Sequence, residues 1–125
     1  MAERKLHYGM TLRLYFEDKA FGPGMMELLN LIEKTGSLQK AAQSMDMAYS
    51  KAWKMLRRSE EAWGFLLTDR ETGGKDGGGS KLTPQAVRLM EAYAGFAADS
   101  RREMDRLFSQ YFSEEWVEEI RRKGE

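Results

Sequence analysis

Gly36–Ser37–Leu38–Gln39–Lys40–Ala41–Ala42–Gln43–Ser44–Met45–Asp46–Met47–Ala48–Tyr49–Ser50–Lys51–Ala52–Trp53 is the stretch that decides the fold. Gly36 has the character of a residue that closes one helix, and Ser37 that of an N-cap for the next. Leu38, Ala41, Ala42 and Met45 fall on one face at helical spacing. The two adjacent alanines have a physical reading, because small side chains let two helices approach closely. Asp46–Met47 makes a turn. A further helix runs from about Ala48 to Trp63 and opens with polar and basic residues. Two short helices joined in this way form a helix-turn-helix, whose second helix enters the DNA major groove.

The second helix carries the chemical signal. At one hundred degrees per residue, Ser50, Lys51, Lys54, Arg57 and Arg58 share an arc of about 120°. Ala52, Met55 and Leu56 lie opposite, with Tyr49 and Trp53 on the shoulder between. Lysine and arginine neutralise phosphates, and near a helix start they reach guanine edges. Most charged arcs are simply solvated helix faces. Here the turn before the arc and the segment after it favour the nucleic-acid reading.

The flanks complete a small domain. Leu6 to Phe16 alternates in part and predicts a strand. Lys19 to Gly24 breaks it, and Gly22–Pro23–Gly24 launches a helix over Met25–Thr35, with Met25, Leu28, Leu29 and Ile32 facing the core. Phe65–Asp69 and Lys81–Thr83 predict two strands joined by the glycine-rich stretch Arg70–Ser80. A basic, glycine-rich tip between two strands, directly after a groove-reading helix, describes a wing. Bare backbone at Gly73, Gly74, Gly77, Gly78 and Gly79 approaches phosphates closely, with Lys75 and Lys81 supplying charge. A nucleotide-binding loop fits poorly, since Lys75 is followed by Asp76 and the loop leads into a strand.

Thr83 and Pro84 are N-cap and first residue of a long helix reaching about Phe112. Ala86, Met90, Tyr93, Ala97, Ser100, Met104, Leu107 and Tyr111 recur in steps of four and three, a heptad seam that breaks only at Ser100. Such a seam packs onto its own domain or pairs with a second chain. A helix of that length spans roughly 43 Å, which favours pairing for its distal half. Ser113 caps a last short helix bearing Trp116 and Ile120.

Composition narrows the function classes. With 125 residues the chain suits one domain. Twenty basic and twenty acidic residues give a formal net charge of zero, but the charge is unevenly placed. From Ala48 to Lys81 the basic residues Lys51, Lys54, Arg57, Arg58, Arg70, Lys75 and Lys81 outnumber Glu60, Glu61, Asp69, Glu71 and Asp76. From Leu82 onward the balance is seven basic to nine acidic. Cysteine is absent, which removes disulfides, thiolate metal sites and a cysteine nucleophile. His7 is the single histidine, too isolated for a metal site or a serine triad. Glu114–Glu115 and Glu118–Glu119 suit a solvated helix face. No catalytic residue, metal ligand or cofactor is expected. No apolar run is long enough to span a bilayer and the N-terminus lacks a signal sequence, so a cytoplasmic location is expected.

Several of these stretches together resemble one family. Phe21–Gly22–Pro23–Gly24, Leu28–Leu29, Gly36–Ser37, Ala41–Ala42, Met47, Tyr49, Ala52–Trp53, Thr72–Gly73–Gly74–Lys75 with Gly77–Gly78–Gly79, and Leu82–Thr83 are similar to the N-terminal DNA-binding domain of the ModE-type molybdate-responsive regulators. LysR-type regulators share the looser Gly–Ser and Ala–Ala part. The resemblance covers about residues 8 to 112. It implies a winged helix-turn-helix that dimerises through its long helix and binds palindromic operators. In that family molybdate is sensed by separate C-terminal domains, for which a sequence ending at Glu125 leaves no room. Three positions depart from the family pattern. Asp46 stands where the turn usually has glycine, Ala48 where a serine usually caps, and Ser50 where a basic residue is common.

The expected fold is therefore mainly α with a small β component: a winged helix-turn-helix over residues 1–82, continuing into a dimerisation helix and a short last helix over 83–125. The expected partner is double-stranded DNA, bound as a homodimer. The expected contacts are Gln39, Lys40, Tyr49, Ser50, Lys51, Lys54, Arg57, Arg58, Arg70, Lys75, Ser80 and Lys81. The expected dimer interface is Ala86, Met90, Tyr93, Ala97, Met104, Leu107 and Tyr111. The competing reading is a dimeric protein-interaction module on the same scaffold, working with a separate effector-binding partner. An enzyme is a distant third.

Overall fold

The computed structural model describes residues 4–70 and 79–123. These form two compact units: Thr11–Ala92, and the described parts of Met1–Met10 and Tyr93–Glu125. The fold is mainly α with a small β component, as the sequence predicts. In chain order the elements are β1 (Leu14–Tyr15), β2 (Lys19–Phe21), α1 (Pro23–Thr35), α2 (Leu38–Ser44), α3 (Tyr49–Trp63), β3 (Thr68–Arg70), β4 (Ser80–Leu82), α4 (Pro84–Tyr111) and α5 (Glu114–Lys123).

In Thr11–Ala92, local chemistry sets the helix boundaries. Pro23 opens α1, and Gly36 closes it in the left-handed region at φ 75°, its N–H bonding Ile32 O. The Ser37 hydroxyl accepts the Lys40 N–H at 3.2 Å and caps α2. The turn into α3 is held by Met47 N–H on Ala42 O at 2.9 Å and by Asp46 at φ 54°. Among the described residues Asp46 is the one non-glycine with positive φ. The position that breaks the family pattern in sequence is thus the one where the backbone favours glycine. Ala48 offers no side-chain cap to α3.

α1, α2 and α3 pack on one another around Phe21, Leu28, Leu29, Ile32 and Leu67, which are fully buried. Ala41, Ala42 and Ala52 are buried on α2 and α3, as expected of a close helix crossing.

The strands differ from the sequence expectation. Leu6–Phe16 is not one strand, because β2 pairs only with Leu14 and Tyr15, with a register shift between them. A strand extends no further than its partner supplies hydrogen bonds. Lys19–Phe21, expected to break the chain, is that partner. It is too short for periodicity to reveal, and it is fixed from outside: the Ala20 carbonyl accepts Ser59 Oγ at 2.5 Å and Trp63 Nε1 at 3.1 Å. β3 and β4 pair antiparallel, with Thr68, Asp69 and Arg70 opposite Leu82, Lys81 and Ser80. Their bounds are shifted from the predicted ones, and Leu66 and Leu67 are held instead by Thr83 and Glu60. Thr83 Oγ1 donates to Leu66 O at 2.7 Å and Thr83 N–H to Leu67 O at 3.0 Å. The same Thr83 oxygen accepts the Ala86 N–H at 3.1 Å and caps α4. Glu60 is buried on α3 and accepts the Leu67 N–H at 2.8 Å.

The other unit is built on α4 from Tyr93 onward and on α5. α4 is 28 residues long and continues unbroken through Gly95. The Tyr8 hydroxyl donates to Asp105, a bond that raises the phenol above its ordinary pKa. The Tyr8 ring lies 5.3 Å from that of Phe108, and the contacts continue through Phe112 to Trp116. Ser113 Oγ accepts the Trp116 N–H at 3.1 Å, the expected cap of α5. Arg106–Glu103 at 2.7 Å and Lys123–Glu119 at 3.0 Å are exposed helix pairs, a kind that contributes little each.

Two stability changes follow. Glu60→Leu leaves the buried Leu67 N–H without its acceptor and costs about 1–3 kcal/mol, while Glu60→Gln keeps an acceptor and costs less; urea midpoints measure both. Asp46→Ala is less stable than Asp46→Gly by about 1 kcal/mol, because alanine resists the left-handed region. Equal melting midpoints for those two variants count against the strained turn.

Candidate nucleic-acid interface

α3 separates its two faces cleanly. Ala52, Leu56, Ser59 and Glu60 are buried, while Tyr49, Ser50, Lys51, Trp53, Lys54, Arg57 and Arg58 are exposed. The buried set anchors the helix to β2, α1 and α2, and that anchoring aims the basic arc outward. Within the described residues, Lys40, Lys51, Lys54 and Arg58 have no acidic group within ion-pair distance. Arg57 is the exception, with a loose contact to Glu61 at 3.9 Å. An arc of mostly unpaired cations on one rigid helix suits a polyanion, because neutralising phosphates releases condensed counterions.

The remaining predicted contacts are spread over neighbouring elements. Gln39 and Lys40 are exposed on the first turn of α2. Arg70 ends β3 and lies opposite Ser80. Ser80 is half-buried, and its N–H is committed to Gly36 O at 2.8 Å. Lys81 is exposed on β4 opposite Asp69. Lys75 and the glycines from Gly73 to Gly78 lie outside the described residues.

The seam on α4 has two kinds of position. Ala86, Met90 and Tyr93 are buried within the chain, and Ala97 is half-buried. Met104, Leu107 and Tyr111 are exposed at 37, 36 and 68 %. What the seam presents outward is therefore its distal part, extended by exposed Phe112, Trp116 and Ile120.

One residue of the reading helix was not among the predicted contacts. Trp53 is 41 % exposed, and the Arg57 guanidinium carbon lies 5.6 Å from its ring centroid. The signal lay in the spacing, because residues four apart are neighbours on a helix surface. Among the described residues no group of three or more histidine, cysteine, aspartate or glutamate side chains is placed to hold a metal ion. Nor is any helix there long and apolar enough to cross a membrane.

Comparison with known proteins agrees with this geometry. Residues 24–87 match the pattern described as bacterial regulatory helix-turn-helix protein, lysR family. The chain is 34% identical over 93 residues to the molybdenum transport protein ModE of Herbaspirillum seropedicae, covering 74% of this chain and 32% of that one. It is 32% identical over 97 residues to the DNA-binding transcriptional dual regulator ModE of Escherichia coli, covering 77% and 37%. The chain thus spans about a third of the length of the curated relatives it matches. The solved structure of ArgP from Mycobacterium tuberculosis superposes with a TM-score of 0.49 at 18% identity, over 68% of this chain and 30% of that one. By the match over residues 24–87 and the ModE-like sequence around it, the chain belongs to the lysR family of bacterial regulatory helix-turn-helix proteins, which are DNA-binding transcription regulators.

Proposed function

We propose that this protein regulates transcription by binding a pseudo-palindromic operator as a homodimer, with α3 of each protomer in a major groove. The carrying observation is the division of α3 into a buried anchoring face and an exposed arc of cations. Ser50, Lys51 and Lys54, on the first turns of α3, face the bases. Gln39, Lys40, Arg57 and Arg58 hold phosphates, and Tyr49 borders the arc. The wing supplies Arg70, Lys75, Ser80 and Lys81 to backbone or minor groove. Residues 1–82 act as the DNA-binding part and 83–125 as the dimerisation part. Support for pairing comes from the exposed apolar side chains Met104, Leu107 and Tyr111. A two-fold dimer places half-sites one helical turn of DNA apart or a multiple of it. The activity is binding without catalysis, in the cytoplasm, where the DNA is.

The uncapped start of α3 and the zero net charge favour one alternative, a dimeric interaction module without specific DNA binding. A salt titration with random duplex DNA separates the two. The regulator loses affinity steeply and log-linearly with salt, whereas the interaction module shows no salt-dependent binding.

Lys51→Ala with Lys54→Ala lowers affinity for a duplex selected from a random pool more than for random DNA, because both lysines face the bases. Unchanged affinity removes α3 from the groove. Wild-type protein sediments as a dimer at micromolar concentration, and Leu107→Glu with Tyr111→Glu sediments as a monomer. A wild-type monomer at that concentration refutes the seam as an interface.

A further inference from the structure

We infer that Trp53 is a base-specificity residue that packs its indole against thymine methyl groups in the major groove. This rests on α3 being the groove-reading helix. Three observations carry it. The indole is 41 % exposed on the fifth residue of α3, within the part of a recognition helix that reaches base edges. The fold does not use it as it uses the second tryptophan of the same helix: Trp63 is half-buried, donates to the Ala20 carbonyl and packs edge-on against Phe16 at 5.1 Å. And Arg57 sits over the Trp53 ring at 5.6 Å, which limits the ring's freedom before any DNA arrives.

The chemistry selects the ligand group. The major groove presents hydrogen-bonding edges and one apolar group, the thymine 5-methyl. That methyl lies on the side of the base nearest its own backbone. Trp53 lies on the shoulder of the cationic arc rather than at its centre, only about 40° around the helix from Arg57. An apolar side chain on the shoulder, next to an arginine available to a phosphate, matches the methyl's position beside the backbone. Contact with it removes apolar surface of both partners from water.

The test uses the duplex selected from a random pool by the wild-type protein. Each thymine is replaced in turn by deoxyuridine, which keeps base pairing and lacks only the methyl. Wild-type protein loses about fourfold in affinity at each contacted thymine, the transfer free energy of one buried methyl group. Trp53→Ala binds the unmodified duplex more weakly and no longer distinguishes thymine from uracil at those positions, while Lys51→Ala still does. Wild-type indifference to every uracil substitution overturns the inference without reference to any variant. So does a Trp53→Ala protein that remains equally sensitive to uracil. A Trp53→Ala protein that binds weakly while the wild type ignores uracil assigns the ring to the sugar–phosphate backbone and likewise overturns it. If no duplex is enriched and random DNA binds without salt dependence, the groove-reading role of α3 itself has failed, a result distinct from failure at Trp53.

Discussion

The packing of the three short helices against one another draws on side chains that occupy almost no space. Ala41 and Ala42 on α2 and Ala52 on α3 are at most 1% exposed, and α2 packs on both α1 and α3. Any larger residue there separates the helices or forces neighbours out of their rotamers. The short turn leaves no slack to absorb such a shift, since Met47 N–H is already bonded back to Ala42 O. The packing of α3 on α2, together with its contacts to β2 and α1, fixes its rotation about its own axis and so decides which residues face solvent. The alanines act on the basic arc without belonging to it.

A second constraint fixes the far end of α3. Ser59 and Trp63 both donate to the Ala20 carbonyl, and Glu60 accepts from Leu67. Three side chains from the last two turns of one helix thereby hold β2 on one side and the approach to β3 on the other. Polar groups buried in this manner fix geometry more than they add stability, because each exchanges water for a protein partner at modest net gain. α3 is consequently anchored by packing near its start and by hydrogen bonds near its end.

The sequence disclosed those parts of the molecule whose cause is local. Gly36, Ser37, Thr83 and Ser113 are caps whose chemistry lies within three or four residues of the helix they close, and all four occupy those positions. The two faces of α3 were likewise legible, because helical periodicity needs no knowledge of partners. What escaped notice has a distant cause. β2 exists because α3 takes its carbonyl from 39 residues away. Glu60 reads as one more surface acid until the Leu67 amide is brought to it. The seam on α4 divides into buried and exposed positions only when the fold around its first turns is present to cover Ala86 and Met90. Of the exposed face of α3, the residue types, their shared arc and the four-residue spacing of Trp53 and Arg57 were readable, whereas the 5.6 Å distance between guanidinium and ring required coordinates.

The bond from Ser80 N–H to Gly36 O has a mechanical consequence. Gly36 stands between the last turn of α1 and the cap of α2, so β4 is tethered to the joint where the helix-turn-helix begins. A displacement of β4 is felt at the first turn of α2, which carries Gln39 and Lys40. Both partners in the tether are backbone atoms, so side-chain replacement at position 80 leaves the bond's donor in place unless proline removes the N–H, whereas Gly36 at φ 75° resists replacement by any residue with a Cβ. β4 and the start of α2 are thus joined by a link between two main-chain atoms.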